Sequence, residues 1–96
     1  MYQPKFYNQD IDQLIDALLT LKDKDEVMRF LEDVCTIKEI MDMGQRFTVA
    51  KMLFEHIPYQ NIVKETQAST ATISRVNKSL IYGAEGYKIA LSRLKK

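Results

Sequence analysis

The amino-acid sequence predicts an all-α protein, and three observations carry this prediction. Apolar residues recur at intervals of three and four along most of the chain, as they do on one face of a helix. Glycine and proline, which interrupt helices, supply only 3 and 2 of the 96 residues. Asn, Asp, Ser or Thr precedes several of the periodic segments, where its side chain can cap a helix. The periodic segments number six.

Two apolar stripes predict the first two helices, over about residues 8–21 and 25–34. A stripe this apolar needs a large surface to pack against, because it is unfavourable in water. The stripes are Ile11, Leu14, Ile15 and Leu18, then Val27, Phe30, Leu31 and Val34. The candidate capping residues are Asn8 or Asp10, then Asp23 or Asp25.

A long third helix is predicted to begin after Thr36 and to end near Glu55 or His56. Thr36 and Glu39 have the spacing of a capping box, in which each side chain accepts the other residue's backbone N–H. Gly44 lies inside this helix and costs about 1 kcal/mol relative to alanine. We expect close approach of another helix to compensate for that cost.

Residues 58–82 predict a helix-turn-helix, with helices over about 59–66 and 70–81. Gln67 lies in the turn where such motifs often hold glycine, so strain is expected there. Gly83 is predicted to cap the second helix in the left-handed conformation. A last helix follows over about 84–94, with Ile89, Ala90 and Leu94 apolar. The buried positions of the motif are predicted to be Ile62, Val63, Ala68, Ile73, Val76 and Leu80.

The other face of the second motif helix carries short Ser, Thr and Ala side chains, followed by Arg75 and Lys78. Short side chains let a helix approach base edges closely, and cations contact phosphates or bases. The alternative is an ordinary helical hairpin with a solvated polar face. The predicted DNA-contacting residues are Gln60, Lys64, Ser69, Thr70, Ala71, Thr72, Ser74, Arg75 and Lys78.

Charge is distributed unevenly along the chain. Residues 1–57 carry a net charge of −4 and residues 58–96 a net charge of +5. A basic C-terminal part favours a polyanionic partner, although Lys95 and Lys96 are equally typical of a solubilising terminus.

Composition argues against several classes of protein. The sequence has no apolar run long enough to span a membrane and no signal-peptide pattern. A single cysteine, Cys35, fits a reducing cytoplasm, so a cytoplasmic location without a membrane partner is predicted. His56 is the only histidine, and no His or Cys cluster has metal-ligand spacing. We therefore expect neither an enzyme nor a metal or other cofactor.

The segment Ala71–Leu80 (ATISRVNKSL), together with the Thr36, Glu39 and Gly44-Gln45-Arg46 positions, resembles the Trp repressor family, in particular its TrpR-related YerC/YecD group. The resemblance implies a six-helix fold in an intertwined homodimer, whose N-terminal helices wrap around the partner. It also implies binding to double-stranded DNA at a near-palindromic operator.

The resemblance also implies a ligand pocket, with one departure. Thr36, Arg46, Arg75 and Ser79 stand where tryptophan-binding repressors hold similar residues, but Val76 replaces the glycine that leaves room for the indole ring. A tryptophan corepressor is therefore not expected. The alternative left open is an unidentified small-molecule effector held by Arg46 and Arg75. The alternative for Arg46 is a surface ion pair with Asp42.

The predicted organisation is a single domain over residues 1–96, with dimerisation helices over 1–57, the helix-turn-helix over 58–82 and the C-terminal helix over 83–96. The predicted function is a sequence-specific, DNA-binding transcriptional repressor that is not gated by tryptophan. The alternative is a protein-interaction module that keeps the fold without specific DNA binding. The near-neutral net charge favours this alternative, as does Gln60 where the family holds a base-contacting arginine.

Overall fold

The computed structural model describes residues 1–95, and regular structure in this range is entirely helical. Lys96, one of the cations of the predicted C-terminal segment, lies outside the described residues. The all-α, six-helix prediction is confirmed over residues 1–95. The helices are α1 (Gln9–Leu19), α2 (Lys24–Val34), α3 (Ile37–Phe54), α4 (Tyr59–Thr66), α5 (Thr70–Tyr82) and α6 (Gly86–Lys95).

The chain divides into two compact units, Met1–Ile37 and Lys38–Lys96. The first unit holds α1 and α2, and the second holds α4, α5, α6 and all but the first residue of α3. The predicted single domain stays a prediction. In the described part of the chain, no helix is both long enough and apolar enough to cross a membrane.

In the first unit, side chains cap both helices. Asn8 Oδ1 accepts the Ile11 N–H at 2.9 Å at the start of α1. Asp23 Oδ1 accepts the Glu26 N–H at 2.9 Å at the start of α2, and Glu26 Oε1 accepts the Lys22 N–H at 2.9 Å. Asn8 and Asp23 are therefore the capping residues among the predicted alternatives. Each satisfies an N–H that the helix leaves without an internal partner.

The apolar stripes of α1 and α2 are only partly covered, since Ile15, Val27 and Val34 are exposed and the other five stripe residues are half-buried. Neither helix, both of which lie within the described residues, contains a buried residue. Leu19 is 79% exposed and Met28 57% exposed. Exposed apolar patches that are large for a monomer mark interaction surfaces. Exposed apolar side chains here include Ile15, Leu19, Val27, Met28 and Val34.

In the second unit, one hydrophobic core joins all four helices. The predicted inward face of the helix-turn-helix is buried, apart from the half-buried Val63. In α6 the buried residue is Leu91, which the predicted apolar set of this helix omitted, whereas Ile89 and Leu94 are exposed. The buried residues are Val49, Ala50, Ile62, Ala68, Ile73, Val76, Leu80 and Leu91.

A left-handed residue ends α3 and redirects the chain toward α4. His56 has φ 63°, its N–H donates to the Leu53 carbonyl at 2.9 Å, and the Ile57 N–H donates to the Met52 carbonyl at 3.0 Å. This pair of bonds is the Schellman arrangement, which satisfies carbonyls at the helix end. Ile57 then packs against the core, so the entry into α4 is anchored.

One prediction about glycine is wrong. Gly83 is not left-handed, because its φ is −85°. Glycine is needed there for a different reason: a Cβ would collide with the backbone carbonyl of Ser79. At Gly44, no heavy atom of the described residues lies within 4 Å of the place a Cβ would occupy, and the close approach of another helix stays a prediction.

Gly83→Ala is expected to lower the free energy of unfolding by about 1–3 kcal/mol, since the added methyl must displace backbone. Chemical denaturation measures this change. Gly86→Ala is the matched control, because open space surrounds a Cβ at Gly86 and alanine is the better helix former. Equal stability of Gly83→Ala and the native protein would contradict the collision.

Candidate nucleic-acid interface

Pro58 positions the first helix of the motif. It occupies the N-cap of α4 with φ −63°, and its carbonyl accepts the N–H groups of Asn61 at 3.0 Å and Ile62 at 3.1 Å. Proline suits a helix start because its ring presets φ and the N–H it lacks would have no partner there. The orientation of α4 is therefore set by the residues directly after the end of α3.

The turn between α4 and α5 consists of residues 67–69 and begins with a left-handed residue. Gln67 has φ 64° and ψ 11°, and its N–H donates to the Val63 carbonyl at 2.9 Å. A residue with a Cβ pays about 1–2 kcal/mol for this conformation. The Gln67 side-chain amide donates to the Lys64 carbonyl at 3.0 Å, which offsets part of that cost. The expected strain is therefore present.

Thr66 stabilises the turn through hydrogen bonds, a role that was not predicted from the sequence. Its hydroxyl donates to the Ile62 carbonyl at 2.7 Å and accepts the Ala68 N–H at 3.1 Å. Gln45 of α3 donates from Nε2 to the Thr66 carbonyl at 3.1 Å. A threonine in the last turn of a helix readily bonds back to the carbonyl four residues earlier, and this signal was available in the sequence.

Ser69 caps α5 through its hydroxyl. Its Oγ accepts the Thr72 N–H at 3.1 Å, and its own O–H donates to Thr72 Oγ1 at 3.0 Å. Ser69 thus both accepts and donates a hydrogen bond at the start of the helix. Ser69 therefore has a structural role in addition to the DNA contact predicted for it.

The helix α5 has two faces with different chemistry. Ile73, Val76 and Leu80 are buried in the core of the second unit. Positions 71, 74, 75 and 78 follow the i, i+3, i+4, i+7 spacing on the opposite side, and all four are exposed. We call these four residues the outer stripe: Ala71, Ser74, Arg75 and Lys78.

The cations of the motif are available to a partner. Arg75 and Lys78, like Lys64 on α4, are exposed. Within residues 1–95, the ion pairs formed are Arg29–Asp25, Lys38–Asp42 and Lys88–Glu85, so none of the three motif cations is neutralised by an acid of the described chain. Glu65 is the one acid of residues 58–82, which leaves this segment with net +2. A local positive potential results.

All nine predicted DNA-contacting residues lie in the helix-turn-helix. Eight are exposed, and Thr72 is half-buried. Gln60 and Lys64 lie on α4, Ser69 lies in the turn, and the other six lie on α5. Their contacts with DNA stay predictions.

The residues of the predicted ligand pocket do not share one environment. Val76 is only 2% exposed and is part of the core, as its branched side chain predicts. Arg46 is half-buried on α3, whereas Arg75 and Ser79 are exposed on α5. Thr36 directly precedes α3, where the capping box places it, but belongs to the first unit. The predicted pocket therefore stays a prediction.

Arg46 does not form the alternative ion pair. Asp42 pairs instead with Lys38, one turn earlier on α3, at 2.9 Å. Among the described residues, no acid lies within ion-pairing distance of Arg46. Its guanidinium group therefore remains available to an anionic partner.

Comparison with known proteins agrees with this geometry. Residues 9–95 match the family described as Trp repressor protein. The chain belongs to the Trp repressor family. The uncharacterised protein YerC of Bacillus subtilis strain 168 is 50% identical over 91 residues, which cover 95% of this chain and 88% of YerC.

Two solved structures share the fold at high similarity. A TrpR-like protein from Eubacterium eligens is 57% identical with a TM-score of 0.89, covering 94% of this chain and 93% of its own. A candidate Trp repressor from Staphylococcus aureus is 43% identical with a TM-score of 0.89, covering 94% of this chain and 90% of its own. At the level of the Trp repressor family, the chain is a DNA-binding regulator.

Gln67→Gly is expected to raise the free energy of unfolding by about 0.5–1 kcal/mol, because glycine adopts the left-handed conformation without strain. Thermal or denaturant unfolding measures the change. Glu65→Gly, in α4 just before the turn, is the control and is expected to destabilise by about 0.5–1 kcal/mol. A destabilised Gln67→Gly variant would mean that the amide bond to Lys64 outweighs the strain.

Proposed function

We propose that the protein binds double-stranded DNA sequence-specifically as a homodimer and represses transcription without tryptophan as corepressor. One observation carries the proposal: α5 is locked into the core by Ile73, Val76 and Leu80 and presents the outer stripe on its opposite side. A helix held rigidly in this way presents its outer side chains in fixed register, which sequence recognition requires.

The outer stripe has the dimensions and chemistry of a major-groove reader. The major groove, about 12 Å wide, admits one α-helix. Ala71 and Ser74 are short enough to bring the helix axis close to the base edges. Arg75 and Lys78 supply charge for phosphates or for guanine. Gln60 and Lys64 lie on α4, which crosses the DNA backbone in helix-turn-helix proteins, the Trp repressor among them.

The accessible stripes of α1 and α2 support a homodimer. Leu19, at 79% exposure, and the other exposed apolar side chains of these helices would leave water if a second copy covered them. Obligate dimers bury interfaces that resemble a domain core cut in half. A two-fold dimer places two recognition helices about 34 Å apart and therefore favours a near-palindromic site.

Val76 supports independence from tryptophan. Its side chain is 2% exposed and packs in the same core as Ile73 and Leu80. An indole ring that needed this volume would have to displace a buried side chain from a closely packed core. Arg46 and Arg75 form no ion pair with a described residue, so both cations are available to bind a different, anionic effector.

A second candidate function is a protein-interaction module with the same fold. The net charge of +1 and the uncharged Gln60 on α4 favour it, because both weaken the electrostatic attraction to DNA. Binding to DNA at physiological salt separates the two functions.

Selection from a randomised duplex library is expected to enrich a near-palindromic sequence. Arg75→Ala is expected to weaken binding to that sequence about tenfold, and Lys78→Ala to reduce the slope of log affinity against log salt by about one. Fluorescence anisotropy measures both. Lys24→Ala, an exposed lysine on α2, is the matched control. Enrichment of no sequence, with binding lost at ordinary salt, would favour the interaction module.

Ile15→Asp is expected to convert a dimer into a monomer, because it places a charge in the exposed apolar stripe of α1. Sedimentation velocity over a concentration series measures the mass. Gln13→Asp adds the same carboxylate at an exposed polar position of the same helix and should remain dimeric. A native protein that sediments as a monomer at micromolar concentration would rule out the proposed homodimer.

Tryptophan is expected to leave DNA affinity unchanged. The measurement is a titration of the selected duplex with the native protein, with and without millimolar L-tryptophan. Thermal unfolding under the same two conditions is the control for binding without regulation. A tenfold increase in DNA affinity, or a raised unfolding temperature, would show that the core around Val76 opens for the indole.

A further inference from the structure

The outer stripe changes its chemistry along α5, and this gradient suggests what each half-site contains. The inference rests on the proposed DNA-binding function. Ala71 lies in the first turn of α5 and is exposed. The first cation, Arg75, lies four residues later, about 6 Å along the helix axis. The N-terminal end of the stripe is therefore short and uncharged.

Two of the three hydroxyls nearest to Ala71, those of Ser69 and Thr72, are hydrogen-bonded to each other, and the third, that of the exposed Thr70, lies outside the outer stripe. Ser69 Oγ accepts the Thr72 N–H and donates its own proton to Thr72 Oγ1 at 3.0 Å. Thr72 is also half-buried. Reading of a base by the Ser69 hydroxyl would disturb the cap of α5, which stabilises the helix by about 1 kcal/mol. Ala71 is thus the outer-stripe side chain available at the N-terminal end of this helix.

An alanine side chain can recognise one group in the major groove. It has no donor or acceptor, so it cannot read the polar edge of guanine, adenine or cytosine. Thymine is the base that presents a methyl group there. In helix-turn-helix docking, the N-terminal residues of the recognition helix contact the base edges. A methyl-to-methyl contact excludes water from both partners and is favourable for that reason.

We propose that Ala71 is a specificity-determining residue that packs against the 5-methyl group of a thymine in each half-site. Each half-site then holds an A·T pair at the position facing the start of α5. Discrimination at this position comes from apolar contact, whereas Arg75 and Lys78 supply the charge-dependent part of the affinity.

Uracil substitution tests the proposal with the native protein. Uracil keeps every hydrogen-bonding group of thymine and lacks only the methyl. Each thymine of the selected duplex is replaced in turn. At one position in each half-site, the replacement is expected to weaken binding about fourfold, the effect of exposing one buried methyl-sized group. Replacement in both half-sites is expected to weaken binding about fifteenfold.

Ala71→Gly assigns the effect to this residue. The variant removes only the methyl group, so it is expected to bind the thymine and uracil duplexes with equal affinity. Ala84→Gly is the matched control, because it makes the same change at an exposed position between α5 and α6, and it should retain the fourfold preference. Circular dichroism confirms that both variants keep their helix content.

The outcomes separate this proposal from the proposed function. If a selected duplex is bound specifically and no uracil replacement weakens binding, Ala71 reads no thymine and DNA recognition stands. If the uracil effect persists in Ala71→Gly, a different residue contacts the methyl and the proposal is overturned. If no sequence is enriched, both the proposed function and the contact of Ala71 with thymine are overturned.

Discussion

Burial of one face of α5 is the interaction on which the remainder of the second unit depends. Ile73, Val76 and Leu80 lie in a common core with residues of α3, α4 and α6. Burying each of these side chains contributes about 1.5–3 kcal/mol. Since a helix has 3.6 residues per turn, this burial also determines which residues face outward. The outer stripe is therefore positioned by the core rather than by contacts of its own.

The turn before α5 shows how local strain is held in place by the surroundings. Gln67 occupies the left-handed region at an energetic cost, yet Thr66 bonds to residues on both sides of it and Gln45 connects the turn to α3. A strained residue persists where neighbouring contacts determine its conformation more strongly than its own preference does. The angle between α4 and α5 is thus maintained without the glycine that such turns often hold.

The two units differ in how well they bury their apolar residues. The second unit encloses a core of its own, whereas α1 and α2 contain no buried residue within the described chain. This contrast follows from size, because two short helices cannot cover each other's apolar stripes. It is consistent with the proposed division of roles, in which the N-terminal helices join subunits and the second unit contacts DNA. Val76 belongs to the core of the second unit, and its burial is the observation that supports the proposed independence from tryptophan.

Much of the secondary structure followed from the sequence alone. Apolar periodicity located all six helices, and the residue types before α1 and α2 narrowed each cap to two candidates, because both signals are local and depend on a few neighbouring residues. The inward face of the helix-turn-helix was likewise predicted correctly. The left-handed assignment of Gly83 failed because glycine satisfies two different needs, positive φ and close approach, and the sequence does not distinguish them.

Other features depended on tertiary structure. Leu91, rather than Ile89 or Leu94, faces the core, because the rotation of α6 is set by packing against distant helices. Asp42 pairs with Lys38 rather than Arg46, although both lie four residues away on α3, because side-chain placement decides between equivalent partners. The sequence by itself thus determined the helices, their caps and the chemistry of each face. Tertiary packing decided which face of α6 was buried and how the turn held its strain, because these properties depend on residues that are distant in the chain.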